Sequence, residues 1–346
     1  IGIYIFQIYQ NVILCKRFYK NIIHINKDLL FIKDYCICTI NNINNFNNIS
    51  NGVNNYSEFK TDSEKYKNTL EKLLLELNSI TTFNHSMEKV YNIGYMLRLY
   101  YTIHINNEYE EALKYSVGFN GYIENMSNVH NLICNGSVSF AKFNKSNICT
   151  FDKQYYPIII DNRCIKNNLN MEKNIIISAP NKAGKTTMIK TTLINIIFTQ
   201  QFGCGFYENA NINPYKYIHC YLNIPDTSGR DSLFQAESRR CKDIINIIND
   251  NKQDRHFCIF DELYSGTNPE EAVKAGNAFL KYIEGFDTVD FILTTHYKQI
   301  CKGFKNSTKV DNYKMDVTIN SDDSFNYTYK FKKGISMIEN SFAITS

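Results

Sequence analysis

Three short runs, Asn174-Ile175-Ile176-Ile177, Phe257-Cys258-Ile259-Phe260 and Val289-Asp290-Phe291-Ile292-Leu293, are apolar at nearly every position and not merely at alternate ones. That pattern predicts strands buried on both faces, as in a parallel sheet covered by helices. After the first run, Met188, Ile189, Leu193, Ile196 and Ile197 recur at helical spacing, so a loop over 178–187 joins a strand to a helix. The N-terminal part reads differently. Residues 62–80 predict an amphipathic helix, with Tyr66, Leu70, Leu73, Leu74 and Leu77 on one stripe and Glu64, Lys65, Lys67, Glu71, Lys72 and Glu76 largely off it. Further helical regions are expected at about 87–105 and 108–133. The asparagine-rich stretch near 40–55, INNINNFNNISNGVNN, predicts a loop or disordered insertion. The expectation is a mostly helical region over 1–150, then an α/β domain over 151–346 with a mixed, largely parallel sheet flanked by helices.

The loop SAPNKAGKTT, Ser178 to Thr187, reads as a phosphate-binding loop. Backbone N–H groups exposed at a helix N-terminus, with the helix dipole behind them, hold phosphate oxygens. Asn181, Lys182, Ala183, Gly184, Lys185, Thr186 and Thr187 form the expected nucleotide-binding set. Lys185 would reach the β- and γ-phosphates, and the Thr186 hydroxyl would ligate Mg²⁺. Ala179 stands where such loops usually carry their first glycine. If that position needs a positive φ, alanine costs about 1 kcal/mol or more.

The second run ends in Asp261-Glu262, at the strand terminus where open α/β sheets place ligands. Asp261 is the candidate second Mg²⁺ ligand, and Glu262 the candidate base that polarises the attacking water. Alone, such a pair is as easily a solvated turn; the phosphate loop upstream makes it a site. The third run continues through Thr294-Thr295 to His296, which at a strand end is placed to hydrogen-bond the γ-phosphate or the lytic water. Together these residues point to ATP with Mg²⁺ and to hydrolysis.

The order APNKAGKTT, then DSLFQAE (Asp231 to Glu237), DELYSGTNPEEA (Asp261 to Ala272) and TTHY (Thr294 to Tyr297) resembles the ATPase domain of the MutS family, a branch of the ABC-type ATPases acting in DNA mismatch repair. The tail Tyr329 to Ser336, with Ser341, resembles the stretch that closes this domain, and Tyr155-Tyr156-Pro157 and Asn167-Asn168 echo the segment leading into its nucleotide pocket. The resemblance covers about 150–346. It implies an ABC-type P-loop fold, with Asn181 as the family's loop asparagine. It also implies that Ser232 reaches the γ-phosphate held by a second MutS-like subunit, and that Gly266 and Thr267 line the dimer interface. DNA, mismatched or branched, is the partner implied, with the helical region as the core and lever that couple it to ATP. Tyr264-Ser265 departs from the Gly-Arg more frequent in repair members. Two alternatives stay open: a Rad50- or SMC-like DNA-maintenance ATPase, though no long heptads flank the domain, and a nucleotide-dependent dimerisation scaffold with little hydrolysis, motivated by Ala179.

Composition adds bounds. A net charge of +4 over 346 residues is too mild to announce nucleic-acid binding by itself. Eleven cysteines without a C-x-x-C pair fit neither a disulfide framework nor a zinc module, and predict a reduced, intracellular protein, cytoplasmic or nuclear and not secreted. The apolar start at Ile1 to Phe6 is followed too closely by Lys16, Arg17 and Lys20 for a membrane span, so no membrane role is expected. Ile1 in place of an initiator methionine predicts a piece of a longer chain.

Overall fold

The computed structural model describes residues 2–83, 87–146, 148–158, 164–222, 233–320 and 324–338. The chain divides into two compact units, Ile1–His130 and Asn131–Ser346.

Helices α1 (Gly2–Ile49), α2 (Ser57–Leu77), α3 (Met87–Ile105) and most of α4 (Asn107–Cys134) make the first unit. Its core is a seam of Ile22, Leu29 and Cys36, seven residues apart on α1, packed with Leu70, Leu73 and Leu77 of α2, Met96, Leu99 and Ile103 of α3, and Ala112 of α4, and Ile43, seven residues further along, is buried as well. Heptad spacing keeps one face of a long helix turned to its neighbours. The predicted asparagine-rich loop is a correction. Residues 41–49 continue α1, and the chain turns only at Ser50 to Val53, with Gly52 at φ 86°. Ile40 and Ile43 are buried, and the Phe46 ring meets Tyr56, Phe59 and Phe119 edge-on. The asparagines find partners on other helices: the Asn42 amide donates to Asn120 Oδ1 at 3.0 Å and the Asn47 amide to Glu64 Oε2 at 3.0 Å. Tertiary packing therefore overrides the poor helix propensity of asparagine.

The second unit begins with short strands, β1 (Ser139–Phe140), β2 (Lys142–Phe143), β3 (Thr150–Gln154) and β4 (Asn167–Asn170). Next come β5 (Asn174–Ser178), α5 (Lys185–Phe202), β6 (Cys204–Gly205), β7 (Asn209–Ile212), β8 (Tyr217–Tyr221) and α6 (Leu233–Asp250). Then follow β9 (His256–Asp261), α7 (Pro269–Glu284), β10 (Val289–Thr295), α8 (Lys298–Gly303), β11 (Val310–Ile319) and β12 (Phe325–Lys333). The main sheet has the order β12-β11-β5-β10-β9-β8, parallel throughout except for antiparallel β12. A smaller sheet, β2-β7-β3-β4, and the pair β1-β6 complete the unit.

The central strands alternate between two cores, which is why they read as unbroken apolar runs. Ile175, Ile177, Phe257, Ile259 and Ile292 pack with Met188, Ile189 and Ile196 of α5 on one face. Ile176, Cys258, Phe260, Phe291 and Leu293 pack with Ile244 and Ile248 of α6, Phe279 and Leu280 of α7 and Ile300 of α8 on the other. Burying each large side chain stabilises the unit by about 1.5–3 kcal/mol. The fold is thus a mixed, mostly parallel α/β sheet preceded by a helical region. Among the described residues no helix is long and apolar enough to cross a membrane.

Candidate active site

Parallel register collects the chemistry at one edge. Thr294 of β10 pairs with Ile177 of β5 on one side and Asp261 of β9 on the other, so the loop after β5, the acid pair after β9 and His296 all emerge together at the carboxyl ends of the strands.

Between Ser178 and α5 the loop alternates its backbone. Lys182 (φ 63°) and Gly184 (φ 90°) are left-handed, which turns successive N–H groups inward as an anion-binding concavity. Gly184 also admits a close neighbour, since a Cβ there would lie 3.0 Å from Cδ1 of Tyr329. Ala179 is buried and is not among the positive-φ residues, so the strain considered for it from sequence does not arise. Its carbonyl accepts a hydrogen bond from Lys185 Nζ at 2.9 Å, with the Pro180 carbonyl at 3.4 Å.

Lys185 is 5 % exposed, and its ammonium lies 3.4 Å from Glu262 Oε1. Burial pulls its pKa down, while Glu262 and then Asp261 pull it back up. The Thr186 hydroxyl donates to Asp261 Oδ2 at 2.9 Å, and the Thr294 hydroxyl donates to Asp261 Oδ1, so both carboxylate oxygens are oriented by threonines. Hydroxyl and carboxylate oxygens converging beside an anion-binding loop are the donor set a hard divalent cation takes.

Glu262 has φ 55°, and its N–H donates to the Thr294 carbonyl at 3.0 Å. A left-handed, non-glycine residue costs about 1–2 kcal/mol and persists where surroundings enforce it. His296 Nδ1 stands 3.7 Å from Glu262 Oε1, a charge-pair distance beyond good hydrogen-bond range. His296 first, and Lys185 after it, hold the Glu262 carboxyl below the usual carboxylate range against the opposing effect of burial.

These groups open into a cleft of about 270 Å³ walled by residues 180–187, Glu262 and Tyr329, so Asn181, Lys182, Ala183, Gly184 and Thr187 are all at its surface. A second, mainly apolar pocket of about 510 Å³ shares Gly184, Thr187 and Tyr329 with it and is otherwise lined by residues that include Gln154, Tyr156, Ile165 and Met315. Asn167 anchors the wall between them: its amide donates to the Tyr329 carbonyl at 3.0 Å and its Oδ1 accepts from the Phe331 N–H at 2.9 Å. Ser336 N–H donates to Ser178 Oγ at 2.9 Å, which ties the tail to the strand before the loop. Ser232, Asp231 and Ser341 lie outside the described residues. Gly266 donates its N–H to Glu237 Oε2 at 3.3 Å and Thr267 donates its hydroxyl to Glu271 at 2.9 Å.

Sequence reasoning missed three residues here. Thr294 was read as strand, although its place opposite Asp261 follows once the two strands are paired. Tyr329 stood in the tail without a role, and nothing local announces that β12 returns over Gly184. Glu237 stood only as the end of the DSLFQAE segment, and it is 2 % exposed.

A glycine-capped helix after a buried parallel strand, an oriented acid at the end of the strand two places along the sheet and a buried lysine beside that acid define a phosphate-loop nucleotide-binding domain. Residues 175–346 match the family profile of MutS domain V, and this part of the chain belongs to that domain family. It is 24 % identical over 208 residues to "Endonuclease MutS2" of Staphylococcus saprophyticus, covering 59 % of this chain and 26 % of that one. It is 27 % identical over 194 residues to "Endonuclease MutS2" of Clostridium kluyveri, covering 55 % of this chain and 24 % of the relative. To "DNA mismatch repair protein MutS" of Persephonella marina it is 27 % identical over 188 residues, 53 % of this chain and 21 % of the other. The chain thus aligns with about a quarter of the length of these curated relatives.

Proposed function

We propose that this chain binds ATP with Mg²⁺ at the sheet end and hydrolyses it, and that nucleotide state governs pairing with a second MutS-like subunit and association with DNA. The observation that carries the reading is the contact of Thr186 with Asp261 beside the Lys185–Glu262 pair, four groups of the types phosphoryl transfer needs, at one end of the sheet.

In this reading the phosphates lie along the inward N–H groups of residues 182–187, and Lys185 leaves Glu262 to meet them. Thr186 and Asp261 would hold the Mg²⁺, which when bound would neutralise charge on the phosphate oxygens. Glu262, released from Lys185, orients the attacking water and accepts its proton, and His296 stands against the same carboxylate to polarise at the γ-phosphate. The nucleoside enters the apolar pocket next door, against Tyr329. Phosphate charge on the far side calls for donors from outside this site, a role we assign to Ser232 of a second subunit. The DNA partner rests on the names of the relatives, not on the mild net charge; mismatch recognition is a finer property that the domain alone does not carry.

The test is ATP turnover of the full 346-residue chain and its Glu262→Gln variant, with no DNA, matched duplex, mismatched duplex and branched junction. A hydrolase loses about 10²-fold or more in turnover while still binding ATP. Equal rates with and without Glu262 would remove the catalytic assignment and leave a nucleotide-dependent scaffold. Stimulation by one DNA form names the ligand; indifference to all four conditions would strip away the DNA role.

A further inference from the structure

Glu237 is the only fully buried acid among the described residues. Its partners lie chiefly in the loop just after Glu262. Oε1 accepts from Ser265 N–H at 3.1 Å and from the Ser265 hydroxyl at 3.2 Å, and Oε2 accepts from Gly266 N–H at 3.3 Å. The Tyr221 hydroxyl at the end of β8 lies near enough to feel the charge of this carboxylate, and accepts the N–H of Tyr264 at 3.4 Å. Ser265 and Gly266 are thus held directly by one side chain on α6, and Tyr264 by the Tyr221 hydroxyl beside it.

That loop holds two left-handed, non-glycine residues, Glu262 (φ 55°) and Tyr264 (φ 59°). Such backbone relaxes unless it is over-determined. Packing contributes at Gly266, where a Cβ would meet Leu233 of α6 at 2.6 Å. Hydrogen bonds to an acceptor-only group supply the rest, because a carboxylate can serve several converging donors at once and an amide or a hydrocarbon of equal size cannot. A buried charge that serves packing alone would be costly to keep.

We propose that Glu237 is a positioning residue for hydrolysis: its buried carboxylate clamps the 264–266 loop and thereby holds Glu262 in the left-handed conformation that aims its side chain into the phosphate cleft. This rests on the reading of Glu262 as the base. Because α6 is the clamp's platform, any movement of α6 would move Glu262 with it.

The test compares the full chain with Glu237→Gln, Glu262→Gln and the double variant in Mg²⁺·ATP. Glutamine fills the same space but turns an NH₂ group toward one of the loop's donors. The expected result is a fall in kcat of about 10- to 100-fold with KM changed less than about threefold, as for a misplaced catalytic group. The double variant should be no slower than Glu262→Gln, since both act on one step. Amide hydrogen exchange at Ser265 and Gly266 should accelerate while that of β9 does not. Should Glu237→Gln fail to fold, Ser265→Ala and Tyr221→Phe each remove one contact and should each lower kcat at constant KM. Full turnover in Glu237→Gln, unchanged exchange at Ser265 and Gly266, or losses that multiply in the double variant would overturn the proposal. If Glu262→Gln is inactive while Glu237→Gln is not, only the clamp falls; if Glu262→Gln keeps its turnover, the hydrolytic reading falls and the clamp with it.

Discussion

The two units use their polar residues for opposite ends. In the helical unit, Asn26, Asn42, Asn47, Asn120 and Thr39 bond one another, neighbouring backbones or charged groups, and the chemistry ends there. In the α/β unit, Lys185, Thr186, Asp261, Glu262 and Thr294 are brought to one strand end, where Lys185 is buried and Glu262 sits in strained backbone. Polar burial by itself therefore marks nothing; polar burial combined with backbone strain and a cleft marks the site. The difference can be broken or sharpened by experiment.

The largest effect belongs to the strand end. Asp261→Asn keeps the shape but removes half the oxygen donor pair, so turnover in Mg²⁺ should fall by about 10³-fold, roughly 4 kcal/mol of barrier, with little change in thermal stability. A variant that melts early at unchanged turnover would make Asp261 a structural residue and erase the contrast. The converse substitution lies in the other unit. Leu73→Ala opens the core beneath α2 and should cost about 3 kcal/mol in urea unfolding while leaving ATP affinity intact, since none of the site residues comes from that unit.

A third test separates buried polar pairs from the site within the α/β unit. His256 donates Nε2–H to the Asn251 carbonyl at 3.0 Å, and its Nδ1 lies 3.0 Å from His219 Nε2. Burial, and then His256, push the His219 pKa down to about 4. Above pH 6.5 neither state carries the extra proton. Below it the unfolded chain binds a proton that the folded chain refuses until about pH 4, so stability should decline across that window, by on the order of 2–3 kcal/mol. Unfolding curves of His219→Gln should lack this part of the decline; an identical pH dependence would show that the pair is not its source. The smallest effect is expected in the asparagine-rich part of α1. Asn42→Ala removes one interhelical bond to Asn120 and should cost about 1 kcal/mol in chemical denaturation. No change would return that stretch to the status of tolerated filler.

How legible each region was follows from the same contrast. Buried parallel strands announce themselves because every position is apolar, and the loop and acids after them sit at fixed offsets from those runs, so residues 174–187, 257–262 and 289–296 were readable one by one. Helix 62–80 was readable from its stripe, and in the structure spans Ser57–Leu77. The asparagine-rich end of α1 was not, because its helicity is supported by burial of Ile43 and by Phe46 meeting rings of other helices. Glu237, Thr294 and Tyr329 were hidden for a related reason. Their roles are fixed by residues 28, 33 and more than 140 positions away, and no local pattern encodes such a meeting. Ala179 misled in a milder way, since a loop that places its left-handed residues at Lys182 and Gly184 has no need of glycine at that entrance.

The most direct measurement is a calorimetric titration of ATP into the 346-residue chain, with and without Mg²⁺, beside the Lys185→Ala variant. Saturable binding that strengthens with Mg²⁺ and weakens by about 10²-fold or more in the variant is the predicted result, since a buried charge-assisted contact to phosphate is lost. Equal affinity in both proteins, or binding indifferent to Mg²⁺, would contradict the assignment of this strand end as the nucleotide site.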